Sequence, residues 1–125
     1  MTRGRVLVAE GSVFMRIMLT TTLERLGFEV VATANNGKEA VDGYMELRPD
    51  IVLVDVELKD MDAIEITRVI ANEDPSAVVI ILIPESMDVP DIIVDAVRAG
   101  AKGYMRKPIS AEEIEAHIRS AMRRR

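Results

Sequence analysis

Short, nearly unbroken apolar runs alternate along the chain with longer stretches in which apolar residues recur every three or four positions. The runs are RVLVA (5–9), FEVVATA (28–34), DIVLVD (50–55), AVVIILI (77–83) and GYMRK (103–107). Rich in Val and Ile, they predict strands buried on both faces, and the last is placed mainly by its position in the order. The intervening stretches carry the helical period. In 12–26, Met15, Met18, Leu19, Thr22, Leu23 and Leu26 fall on one face, and Gly27 supplies a left-handed stop. The second helix starts at Asn36-Gly37 and runs through Ala40, Val41, Tyr44 and Leu47 towards Pro49. The third runs from about Asp62 to Asn72 with Ile66, Val69 and Ile70 inward. The fourth starts near Asp88, tolerates Pro90 in its first turn and ends at Gly100. The fifth opens on a capping box, Ser110 with Glu113, and turns Ile114, Ile118 and Ala121 inward.

The order is (βα)5. Parallel strands need crossover helices, and those crossovers are right-handed. The expected fold is α/β, a doubly wound sandwich with a five-stranded parallel sheet in order 2-1-3-4-5. In such a sheet, sites form at the carboxyl ends of the strands near the switch point between strands 1 and 3. Two acids stand there, Glu10 after the first strand and Asp55 closing the third. A carboxylate ending an apolar strand is costly unless it emerges at the surface or finds a partner. Lys107, after the fifth strand and before Pro108, is a cation placed to reach across the strand ends.

Composition narrows the field. The length of 125 residues suits one domain spanning 1–125, and 49% hydrophobic residues suffice for a core. A formal net charge of -5 argues against a nucleic-acid surface, which needs clustered positive charge. Arg123, Arg124 and Arg125 form the one basic cluster, read as a solvated helix end that complements the helix dipole. Without cysteine there are no disulfides, thiolate catalysis or cysteine metal sites. No charged-then-apolar leader opens the chain and no apolar run is long enough to cross a bilayer, so a soluble, cytoplasmic protein without membrane contact is expected.

These features resemble a known family. The stretches PDIVLVDVELKDMDAIE (49–65) and AVRAGAKGYMRKPIS (96–110), in this order on a (βα)5 chain, are similar to the response-regulator receiver domain, the CheY-like domain of two-component signalling. The resemblance covers essentially the whole chain. It implies that Asp55 is the phosphoacceptor for a histidine kinase or phosphotransfer protein. It also implies that Lys107 partners the phosphoryl group or carboxylate, that the Lys107–Pro108 bond is cis, and that Tyr104 is the aromatic switch. The output face would be helix 4, strand 5 and helix 5, with Asp91, Asp95, Tyr104, Arg106 and Glu115 meeting a downstream protein.

The chain departs from the family pattern where the chemistry is done. Two adjacent acids usually hold Mg2+ after the first strand, and here the pair is Glu10-Gly11. Gly11 offers no carboxylate, which weakens the Mg2+ set to Glu10, Asp55 and Glu57; Glu57 either adds a ligand or pairs with Lys107. The family's Ser or Thr after strand 4 falls on Glu85 by counting back from Lys107, or on Pro84 by matching the apolar run. Neither has a hydroxyl, and Glu85 would repel a phosphoryl group and hinder ionisation of Asp55. Lys59 and Ala63 stand where Pro and Gly are usual. The implied function is a phosphorelay receiver, a phosphoacceptor and not an ordinary enzyme, that signals through protein contacts with impaired phosphorylation at Asp55. The alternative is a phosphorylation-independent pseudo-receiver, an interaction module. A metal-dependent phosphatase is a third reading, suggested by DVE (55–57) but lacking a second acidic motif.

Two features stay outside that frame. His117, the only histidine, is read as a partly exposed helix residue, because a lone imidazole makes no metal set. Phe14, Ile17 and Thr21 form a second apolar stripe on the first helix. It is expected to be buried by rotation of that helix, the alternative being a docking face.

Overall fold

The computed structural model describes residues 2–87 and 89–125. Five strands alternate with five helices: β1 (Arg5–Ala9), α1 (Val13–Arg25), β2 (Glu29–Ala34), α2 (Gly37–Leu47), β3 (Ile51–Asp55), α3 (Ala63–Glu73), β4 (Val78–Ile83), α4 (Val89–Ala99), β5 (Gly103–Arg106) and α5 (Ala111–Met122). All pairings are parallel, in the order β2-β1-β3-β4-β5. The fold expected from the apolar pattern is therefore the fold found. The expected helix start at Asp88 lies outside the described residues.

Alternation along the strands builds two cores. Leu7, Val52, Val54, Val79 and Ile81 face one side, where Ala40 and Tyr44 of α2, Ile66 and Ile70 of α3 and Ala96 of α4 cover them. Val6, Val8, Ile51, Leu53, Ile80 and Leu82 face the other, under Leu19 and Leu23 of α1 and Ile114, Ile118 and Ala121 of α5. Each fully buried aliphatic side chain contributes about 1.5–3 kcal/mol relative to exposure. Consequently β3 and β4, at the centre, are buried along their whole length. The helix ends follow the expected chemistry. Ser12, Asn36, Asp62 and Ser110 accept first-turn N–H groups, and Ser110 with Glu113 completes the capping box.

Two expectations need correction. The runs 28–34 and 103–107 are not buried on both faces, because β2 and β5 are the edge strands; β2 exposes Glu29 and Thr33 and β5 exposes Tyr104 and Arg106. The second stripe on α1 is not buried either, and Met18, expected on the inward face, is exposed with it. Phe14 is 74% exposed and Ile17 62% exposed, with Val13 and Thr21 also outward. The helix meets the sheet through a narrow line centred on Leu19 and Leu23, and no other element covers its outer side. No helix among the described residues is long and apolar enough to cross a membrane.

Candidate functional site

The parallel register brings three chemically active residues to one end of the sheet. Asp55 is the last residue of β3 and pairs with Leu82 of β4. Glu10 follows β1, and its N–H donates to the Ala34 carbonyl at 2.9 Å, so the β1–β2 ladder runs one residue past the strand. Lys107 follows β5, and its N–H likewise reaches the Ile83 carbonyl at 2.9 Å. The peptide between Lys107 and Pro108 is cis.

Glu10 is 3% exposed and Asp55 1% exposed, so neither carboxylate can rely on water. The Lys107 ammonium lies between them. It donates to Glu10 Oε2 at 2.9 Å and to Asp55 Oδ2 in a close contact. The remaining oxygens take main-chain donors: Asp55 Oδ1 accepts from the Glu57 N–H at 2.7 Å and Glu10 Oε1 from the Ser12 N–H at 3.2 Å. Arg16 Nη1 donates to the Glu10 carbonyl at 2.7 Å, which ties the first turn of α1 to the cluster. No buried side-chain nitrogen or oxygen among the described residues lacks a hydrogen-bond partner.

Two acids share one cation here, and their protons divide unequally. Burial, reinforced by a hydrogen bond to Asp55, pushes the Glu10 carboxyl up to about 7 against the pull of Lys107. Burial acts upward on Asp55 too, but hydrogen bonds from Glu10, Lys107 and the Glu57 N–H outweigh it and hold Asp55 below its ordinary value. Burial works against the charge of Lys107, and both carboxylates more than restore it. Near neutrality Glu10 is only partly ionised, Asp55 is ionised and Lys107 is charged.

Other anticipated residues lie apart from this cluster. Glu57 is exposed and contributes its main-chain N–H; its carboxylate makes no ion pair with Lys107 among the described residues. Pro84 is buried directly after β4, whereas Glu85 and Ser86 are exposed. The Glu85 carbonyl accepts from Arg106 Nη2 at 2.8 Å, and Asp55 is more ready to ionise than an ordinary aspartate, not less. Tyr104 is 39% exposed, its ring centroid 6.4 Å from that of half-buried His117 on α5.

One contact had no sequence signal. Asp60, in the loop after β3, accepts from the N–H groups of Gly37 at 2.6 Å and Lys38 at 3.0 Å, pinning that loop to the first turn of α2. Met61 lies against Gly37, where an added Cβ would come within 2.5 Å of the Met61 Cβ. A cleft of about 470 Å³ opens beside the cluster, bordered by Glu10, Gly11, Asn35, Glu57 and Asp60.

Mg2+ demands near-octahedral oxygen geometry and is usually held through carboxylates plus substrate phosphate. Gly11 has no carboxylate, Glu10 is only partly ionised near neutrality, and Lys107 already occupies both acids. Among the described residues no group of three or more His, Cys, Asp or Glu side chains is arranged to hold a metal ion. As arranged, the residues do not fit Mg2+.

Comparison with known proteins places this geometry in context. A family model described as the response regulator receiver domain matches residues 6–119. The chemotaxis protein CheY of Thermotoga maritima is 36% identical over 110 residues, 88% of this chain and 90% of that protein. CheY of Listeria monocytogenes is 39% identical over 110 residues, 88% of this chain and 91% of that protein. Among solved structures, the response regulator domain of Thermotoga maritima CheB aligns with a TM-score of 0.85 at 33% identity, covering 95% of this chain and 96% of that one.

Proposed function

Because this chain belongs to the response regulator receiver family of two-component signalling, we propose that it signals through protein–protein contacts, with Asp55 a phosphoacceptor that reacts only weakly. Receiver domains interact with histidine kinases and downstream targets, and generally bind Mg2+ at the acidic pocket. One observation carries the reading: Lys107 bridges Glu10 and Asp55 where Gly11 adds no third acid. Phosphoryl transfer depends on positioning and on neutralising the charge of the incoming group. An Asp55 oxygen would form the new P–O bond while the bond to the donor's leaving group breaks. That oxygen is ionised, as a nucleophile should be, but among the described residues Lys107 is the only cation in contact with Asp55, and it is already shared with Glu10.

In this reading residues 1–125 act as one cytoplasmic receiver domain. The donor is a histidine kinase or phosphotransfer protein, and a downstream protein meets the face of α4, β5 and α5 around Asp91, Asp95, Tyr104 and Arg106; Glu115, expected on that face, instead pairs at 3.1 Å with Arg3, which also holds the Leu26 carbonyl after α1. A second reading, a phosphorylation-independent interaction module, is favoured by Pro84 and Glu85, which bring no hydroxyl to the loop after β4.

Intact mass separates the two. The protein is incubated with a small phosphodonor, with and without Mg2+, beside Asp55→Ala. A slow, substoichiometric single adduct that requires Asp55 supports the first reading. A folded protein that forms none supports the second, and rapid stoichiometric labelling refutes both.

A further inference from the structure

The structure holds a second cavity, on the opposite side of β5 from the packed α5 core. It measures about 280 Å³ and lies between α4 and the β4–β5 edge of the sheet. Ile81, Ile83 and Ala96 lie behind it with little or no exposed surface, and its accessible apolar wall comes from Ile93 and Val97 of α4 and from Tyr104 of β5, whose ring is turned partly to solvent. A space of this size falls just below the range of about 300–1,000 Å³ typical of drug-sized ligands, so it suits one ring and a short substituent.

Among the described residues, the full charges lining this apolar space belong to Lys102 and Arg124. Arg124 Nη1 donates to the Lys102 carbonyl at 2.9 Å, and Lys102 Nζ to the Pro75 carbonyl at 3.1 Å. Neither pairs with a carboxylate among the described residues. Arg124 keeps further N–H donors in a planar fork that matches a carboxylate. Its sequence neighbours do not share this role: Arg125 approaches Asp50 at 3.7 Å and Arg123 lines a separate cleft with Arg3 and Phe28.

We propose that this cavity binds a small one-ring carboxylic acid, its ring on Ile93, Val97 and Tyr104 and its carboxylate on Arg124. Such a ligand fills the space beside Tyr104 and favours the outward ring. Its effect on partner binding rests on the function proposed above, whereas the binding itself does not.

The test uses the full chain, labelled with 15N and titrated with benzoate or with its neutral isostere benzamide. Benzoate is expected to give saturable shifts centred on Ile81, Ala96, Gly103 and Tyr104, and benzamide to bind about tenfold more weakly. Arg124→Gln, at the exposed end of the chain, should weaken benzoate about tenfold and leave benzamide unchanged. Ala96→Leu should fill the cavity and abolish both, its own spectrum reporting whether it folds; if it does not, Arg124→Gln decides alone. No saturable shift with benzoate, equal binding of benzamide, or an unaffected Arg124→Gln overturns the proposal.

Discussion

Replacing Glu10 with glutamine keeps the side chain's shape and removes its charge. In the wild-type protein two buried acids face one ammonium, so the second negative charge is uncompensated once Glu10 ionises. Burial first, then the hydrogen bond to Asp55, raises Glu10 from 4.5 to about 7. At about 1.4 kcal/mol per tenfold change, that rise corresponds to about 3 kcal/mol. The sign follows from proton counting. Between pH 4.5 and 7 the folded protein holds a proton that the unfolded chain has lost, so folding is favoured at the acidic end. This contribution is full below the unfolded value and disappears as pH rises through the folded one. Wild type should therefore lose about 2–3 kcal/mol from this group between pH 5 and pH 8. Glu10→Gln removes the titration at every pH: its carbonyl can accept from Lys107, while its NH2 then faces the Ser12 N–H, a cost that is the same at both pH values and cancels from the comparison. Urea unfolding of both proteins at the two pH values gives the comparison. The variant should gain on wild type by about 2–3 kcal/mol on going from pH 5 to pH 8. A constant difference, or a variant that loses ground at pH 8, would refute the proton-sharing account.

The same cluster and two glycines, Gly11 after β1 and Gly37 opening α2, supply further expectations. Lys107→Met leaves both acids without a cation and should cost about 3–5 kcal/mol in urea unfolding at pH 8, and less at pH 5, where Glu10 keeps its proton. Gly11→Asp restores a second acid after β1, and a Cβ there would meet only the Asn35 carbonyl oxygen, at 3.9 Å. Calorimetric titration should show Mg2+ affinity rising at least about tenfold; an unchanged affinity would mean that Lys107, not the missing acid, closes the site. Gly37→Ala drives a Cβ to 2.5 Å from the Met61 Cβ and 3.0 Å from Ile66 Cδ1. It should destabilise the protein by about 1–3 kcal/mol, read as a lowered Tm, despite alanine's better helix propensity.

The apolar pattern suffices to read the sheet because β3 and β4 carry no polar residue before Asp55 and Pro84, and the helices between them have clear inward faces. Strand ends then locate Glu10, Asp55 and Lys107. Which acid takes Lys107 is another matter. It depends on Glu10 reaching the end of β3 from a neighbouring strand in register, Ala9 beside Val54. Spacing alone offers Glu57 equally well. The exposure of Phe14 and Ile17 is illegible for a similar reason: a helix with apolar residues around most of its circumference shows no preferred side until its neighbours are in place. Asp60, one of several acids in LKDMDA, finds α2 only through the path of the loop.

The centre of the sheet has a consequence for the life of the chain rather than for its signalling. β4 is the six-residue run VVIILI, without charge and with high β propensity, the kind of segment that stacks into a dry zipper when its edges are free. In the folded protein β3 covers one edge and the four residues of β5 the other. A nick or truncation that releases β5 turns an interior strand into a sticky margin. The last quarter of the chain thus acts as a built-in guard against aggregation, and its loss should be registered by thioflavin fluorescence before any failure of partner binding.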